Sequence, residues 1–181
     1  MSRFRGRDAL VPAPRLTLRP LTKKDGRAFL ALIDALADFE KLKRPTRAAR
    51  SRLLRDGFGK RRRFDAYLAF VDTKAVGYAI VFETYSSFLA LPTLFLEDIF
   101  VLPGFRNRTV GVQLFRACVA EARRRGCGRM EWVVLDWNAN AIRFYDRLGA
   151  RRLKEWISYR MTRDQFGTLL GKDRASRRLT R

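Results

Sequence analysis

The run from Leu94 to Phe115, Leu-Phe-Leu-Glu-Asp-Ile-Phe-Val-Leu-Pro-Gly-Phe-Arg-Asn-Arg-Thr-Val-Gly-Val-Gln-Leu-Phe, constrains the fold more than any other stretch. Leu94–Val101 reads as a strand, and Pro103 and Gly104 end it. From Val110 the residues Leu114, Phe115, Cys118, Val119 and Ala122 recur at helical spacing, which predicts a helix over Val110–Arg125. Arg123–Arg125 suit the negative end of that helix, and Gly126 stops it. A strand, a tight loop and a helix start form one βα unit. A helix start offers backbone N–H groups without intrahelical partners and a partial positive charge, so it can hold a diphosphate. Gly111 lets the backbone approach such a ligand, and Arg106 and Arg108 add charge.

The flanking pattern completes a mixed sheet. Arg15–Pro20 alternates polar and apolar as a strand does. Thr22 and Asp25 have capping-box spacing ahead of a helix whose apolar face is Phe29, Leu30, Ile33, Leu36 and Ala37. Thr46 can cap a second, very basic helix ending at Gly57. Asp65–Val71 and Ala75–Thr84, joined by a short turn, predict an antiparallel hairpin. Beyond the central helix come a strand over Arg129–Leu135, a short helix over Asn138–Leu148 ended by Gly149, and strands over Ala150–Leu153 and Trp156–Met161. Asp164–Leu170 forms a last helical turn. This order predicts an α/β chain with a helix between two parallel neighbours.

The chain has 181 residues, and 47% of them are hydrophobic, enough for one globular core. It has no His, which excludes a Ser-His-Asp triad, a Cys-His pair and any His-ligated metal within these residues. Proton transfer must then use carboxylates, Tyr, Cys, Lys or water. Cys118 and Cys127 read as a reduced pair. The longest apolar-leaning stretch, Phe88–Val101, is interrupted by Pro92, Glu97 and Asp98, so no membrane partner is expected. Met1–Asp8 is basic and polar with no apolar run behind it, so a secretion signal is not expected and the protein is expected to be cytoplasmic. The net charge of +21 attracts anions, whether a phosphorylated cosubstrate or nucleic acid. The excess is spread over several segments, as on a solvated face.

Two blocks together resemble the GNAT superfamily of N-acetyltransferases. The family's acetyl-CoA loop, Gln/Arg-x-x-Gly-x-Gly/Ala after a strand, is met by Arg106-Asn-Arg-Thr-Val-Gly111. Its later signature is met by Asn138-Ala-Asn-Ala-Ile-Arg-Phe-Tyr145-Asp-Arg-Leu-Gly149-Ala150. The resemblance spans Arg15 to Met161. Within the superfamily the chain is most similar to the diamine (spermidine/spermine) and thialysine acetyltransferase branch, through Leu36–Glu40, Asp56–Gly59, Leu96–Val101, Asp136–Asn138 and Arg143–Tyr145.

The resemblance implies a GNAT fold: an α/β chain whose mixed, mostly antiparallel sheet is splayed at a central parallel pair and flanked by helices. It implies an acetyltransferase domain over 15–170, with a basic extension over 1–14 and a basic tail over 171–181. It implies acetyl-CoA as cosubstrate, no metal, and a primary amine as acceptor: a diamine, a polyamine or a thialysine-like amino acid. The pantetheine arm would pair with Ile99, Phe100 and Val101. The diphosphate would lie on Arg106, Asn107, Arg108, Thr109, Val110, Gly111 and Val112. Asn138 and Ala141 match further cofactor positions. Tyr145 matches the proton donor to the leaving thiolate, and Glu97 the carboxylate that takes the amine's proton. Phe39, Glu40, Glu97 and Asp98 match the amine site. Neighbouring strand residues point to opposite faces, so Glu97 and Asp98 reach one cleft only through a bulge. Asn138 is also a good helix cap, and Glu97, Asp98 and Glu40 could equally pair with nearby Arg and Lys. Thr109 departs from the family loop, which usually has glycine there, and predicts positive-φ strain. A homodimer through strand edges is an open partner expectation. Two alternatives stand behind the small-amine reading: a non-enzymatic module binding RNA or the ribosome through its basic surface, and a protein N-acetyltransferase.

Overall fold

Alternation and caps translate into elements much where the residues place them. The computed structural model describes residues 14–176. The basic lead-in lies outside that range except for its last residue, as does the end of the basic tail. The chain divides into two compact units between Val133 and Val134.

The first unit carries β1 (Leu16–Pro20), α1 (Gly26–Phe39), α2 (Arg47–Phe58), β2 (Asp65–Val71), β3 (Lys74–Ser86), β4 (Leu91–Val101), α3 (Val110–Arg124) and β5 (Arg129–Glu131). The described strands form one sheet in sequence order. β1 to β4 pair antiparallel, and β5 joins β4 in parallel after the α3 crossover. The start of α1 is anchored by Asp25. Its buried carboxylate accepts from Thr22 N–H at 2.9 Å, from Thr22 Oγ1 at 2.6 Å and from both arms of the Arg19 guanidinium at 2.7 Å. The Arg19 bonds hold that carboxyl well below the usual range. Thr46 caps α2 as expected, accepting from Ala49 N–H at 3.2 Å.

Strand alternation puts one helix layer on each face of the sheet. Phe29 and Leu32 of α1 pack with Ala66, Leu68, Tyr78, Ile80 and Phe100 as one buried cluster. Phe29 meets the Tyr78 ring edge-on at 5.6 Å. On the other face a Cβ built at Gly77 would lie 2.7 Å from the Phe100 carbonyl and 3.3 Å from Leu114 of α3. Only glycine fits there, because backbone, strand and helix converge on it. Along α3, Val110, Leu114, Phe115, Cys118 and Ala122 are buried, while Val119 faces solvent rather than the core expected of it.

The second unit carries α4 (Ala139–Arg147) and α5 (Arg163–Ser176). Asn138 caps α4, and Gly149 follows it at φ 81°. Three expectations change here. The expected strand over Arg129–Leu135 keeps strand geometry only through Glu131. Ala150–Leu153 and Trp156–Met161 form no ladder among the described residues, so β5 ends the described sheet. Alternation describes one residue face, whereas a ladder needs a partner edge in register. The last helix continues past Gly171 to Ser176 instead of stopping at Leu170.

Candidate active site

β4 and β5 share only a short parallel ladder, Thr93 to Phe95 against Arg129 to Glu131. Beyond Phe95, residues 96–101 of β4 have β3 on one side and no strand laddered to the other among the described residues. The Phe100 carbonyl lies against Gly77 of β3, and Leu102 N–H donates to Val76 O at 2.9 Å. Alternation then turns the amides of Ile99 and Val101 toward the open side. Arg106 confirms the direction, since its Nε donates to Val101 O at 2.9 Å. Of the three expected pantetheine residues, Ile99 and Val101 present open amides, while Phe100 contributes its ring to the core. Arg106 is partly committed to the fold, because its guanidinium also stacks 4.6 Å from the Phe39 ring and 5.6 Å from Phe100.

A bulge brings the two adjacent acids together. Ile80 pairs with Asp98 and Val81 with Leu96, so Glu97 is the extra residue of β4. The pleat resets across it, and Glu97 and Asp98 both line one cleft of about 560 Å³. Leu53, Phe64, Phe82 and Arg63 are among its other walls.

The acids of this cleft are not spent on the excess of Arg. Asp25, Asp34, Asp38, Asp65 and Glu121 all hold salt bridges. Among the described residues Glu97, Asp98 and Glu40 hold none. Asp98 instead accepts from the Tyr78 hydroxyl at 3.2 Å. Burial pushes the Asp98 carboxyl up to about 6 from its usual 3.8; the Tyr78 bond opposes this, and the charges of Glu97 and Glu40 add to it. Burial likewise raises Glu40. Burial and the Asp98 charge together hold the Tyr78 hydroxyl well above its usual range. Phe39 and Glu40 close α1, with Phe39 6.3 Å from the Phe100 ring. Tyr78 and Arg63 escape a reading of the sequence, because strand register and chain reversal bring them to Asp98 from distant positions.

The loop before α3 has the expected strain. Thr109 stands at φ 58°, ψ −13° and Asn107 at φ 61°. Thr109 gives α3 no side-chain cap, so the amides at Gly111 and Val112 lack one. Val110 is buried beneath the loop, and Asn107, Arg108 and Thr109 face solvent. Arg108 lies 5.8 Å from the Phe105 ring. A β-branched residue at positive φ costs roughly 1–3 kcal/mol, and glycine gives back up to about 1 kcal/mol in chain entropy. Thr109→Gly is therefore expected to stabilise the fold by about 1 kcal/mol. Thermal unfolding checks this, and a lowered midpoint would show the loop to be unstrained.

In the second unit, Asn138 Oδ1 accepts from Ala141 N–H at 3.2 Å, so the capping role expected of Asn138 is present. That bond leaves the Asn138 amide NH₂ as its donor group and occupies the Ala141 backbone donor. Tyr145 is buried on α4, its ring 5.3 Å from Phe144.

Comparison with known proteins gives this geometry a context. The profile described as the acetyltransferase (GNAT) family matches residues 30–150. A thialysine N-epsilon-acetyltransferase of Mus musculus is 30% identical over 166 residues, covering 86% of this chain and 97% of that protein. An L-ornithine N5-acetyltransferase of Arabidopsis thaliana is 42% identical over 93 residues, 51% of this chain; the match spans only 41% of that protein's length. An aminoglycoside N-acetyltransferase solved in complex with CoA shares the fold, with TM-score 0.70 and 23% identity over 84% of this chain and 98% of that one.

Proposed function

Because the chain belongs to the GNAT acetyltransferase family, we propose that it carries the acetyl group of acetyl-CoA to a primary amine bound beside Glu97 and Asp98, by direct attack. The observation that carries this reading is the pair of carboxylates lining the cleft, Glu97 and Asp98, with Glu40 near enough for its charge to act on Asp98; among the described residues none of the three holds a salt bridge, in a chain with 39 Lys and Arg. Unspent acids in a half-buried cleft attract a cation and can then take its proton.

The residues present fit the cosubstrate. Open amides at Ile99 and Val101 match an extended amide-bearing arm. The amides at Gly111 and Val112, with Arg108 beside them, match a diphosphate. Asn107, Thr109 and Val110 complete that loop, Arg106 holds it against β4, and Asn138 and Ala141 supply further cofactor contacts in our reading. Bound acetyl-CoA supplies an activated thioester. Glu97 accepts the proton of the incoming ammonium. Asp98, with its pKa near 6, is mostly ionised at neutral pH and holds its negative charge beside the ammonium while Glu97 takes the proton. Phe39 and Glu40 line the amine's approach. Tyr145 donates the proton that the departing thiolate needs. We place this domain over 15–170, with the basic segments 1–14 and 171–181 outside it.

Isothermal titration of the full chain with acetyl-CoA, with ATP as control at near-physiological salt, tests the proposal. Micromolar affinity that ATP does not match is expected. Absent binding, or binding that ATP equals, would overturn it in favour of a generic polyanion site.

A further inference from the structure

The cleft that holds Glu97 and Asp98 also has a positive wall. Arg63 lines it, following α2 and directly preceding Phe64. Its backbone is fixed. Arg63 N–H donates to Asp56 O at 2.9 Å, and Gly57 sits so close beneath Phe64 that an added Cβ would lie 2.9 Å from the ring. Four nearby arginines are already paired. Arg44 pairs with Asp38, Arg50 with Asp34, Arg55 with Asp56 and Arg62 with Asp65. Arg63 makes no salt bridge among the described residues, although two carboxylates line the same cleft. One cavity therefore presents opposite, mutually unpaired charges.

That arrangement distinguishes between amines. A diamine is cationic at both ends, so its far end would meet Arg63 and a segment, 41–63, with eleven Lys and Arg against one Asp. An amino acid with a side-chain amine is cationic where the acids wait and anionic where a guanidinium can form a two-pronged bond. A cleft of about 560 Å³ accommodates either, so size does not decide. We propose that Arg63 is a specificity-determining residue that receives the carboxylate of an amino-acid acceptor. Amino acids with a terminal side-chain amine are then preferred over the diamines that differ from them by that carboxylate alone. The inference rests on the reading of the cleft as the amine site.

The test pairs ornithine with putrescine and lysine with cadaverine, using the full chain, its Arg63→Gln and Arg63→Lys variants, and acetyl-CoA. Arg63 is exposed, so both variants are expected to fold. The wild-type chain is expected to favour each amino acid in kcat/KM by about tenfold or more. Arg63→Gln is expected to lower kcat/KM for the amino acids by about 10- to 100-fold, through KM, and to leave the diamines within about threefold. Arg63→Lys, which keeps the charge and loses the fork, falls between. Wild-type preference for the diamines, or an equal loss for both members of a pair, would overturn the proposal. If no pair is acetylated, the acceptor reading has failed, and calorimetry of the four amines still decides the role of Arg63. Carboxylate-dependent binding lost in Arg63→Gln would uphold that role, and its absence would overturn it.

Discussion

Replacing Tyr145 by Phe is expected to lower turnover by about 10²- to 10⁴-fold while changing the affinity for acetyl-CoA less than about threefold. The substitution removes one hydroxyl and nothing else. Tyr145 sits in the middle of α4, whose ends are set elsewhere by the Asn138 cap and by Gly149 at φ 81°. Its ring meets Phe144 through carbon atoms that Phe also has. With the ring and both helix ends kept, the loss is expected to fall on kcat. A transition-state proton transfer produces that split, whereas a structural tyrosine would lower stability and spare the turnover of what remains folded. Steady-state kinetics beside acetyl-CoA calorimetry separates the two. Unchanged turnover would remove Tyr145 from the chemistry.

Asp98→Asn is expected to trade activity for stability. The wild-type carboxyl has a folded-state pKa near 6 against an ordinary 3.8. A group raised in this way favours the folded state when protonated. Its contribution is fully present below about pH 4, falls as pH rises through about 6, and stays lost above. At pH 8 the burial of the ionised carboxylate costs about 2 kcal/mol, allowing for partial contact with water. An amide has no charge to bury and can still accept from the Tyr78 hydroxyl. The variant is therefore expected to unfold at a higher temperature than wild type at pH 8 and at nearly the same temperature at pH 4. Turnover should drop by about 10²-fold or more, since the amine loses its nearest buried charge. Wild-type kcat/KM should rise with pH through about 6. A variant less stable than wild type at pH 8, or equally active, would contradict the assignment. Asp25 has the opposite sign: Arg19 holds it low, so its contribution is lost on acidification rather than on alkalinisation.

These two expectations draw on different information. Tyr145 follows from a local motif, and α4 forms where the motif places it. Its Asn cap and left-handed glycine act within a few residues, so the signal is complete in the chain itself. The same holds for α3, for the Thr46 cap and for the strain at Thr109, where a β-branched residue replaces glycine in a loop that still needs positive φ. The two strands expected after Gly149 show the limit of local reading. Their alternation is real, yet no ladder forms there among the described residues.

Asp98 belongs to the other kind. Its neighbour Glu97 is visible in the sequence, but simple alternation would set the two on opposite faces. Whether they share a cleft depends on one extra residue in the pairing of β4 with β3, which register alone decides. The raised carboxyl depends further on burial, and the hydroxyl that opposes the rise comes from Tyr78, twenty positions away along the chain. Arg63, separated from Asp98 by a hairpin and a half, becomes a wall of the cleft only because α2 folds back over the sheet. The sequence by itself determined α1 to α4, the caps at Thr46 and Asn138, the strained loop before α3 and the acetyltransferase signature, because each is set by neighbours within about one helical turn. Only the tertiary structure decided which acids stay unpaired, which edge of β4 stays open and which cation faces the acids. Those properties belong to pairs of residues far apart in sequence, and they exist only once the strands have chosen their register.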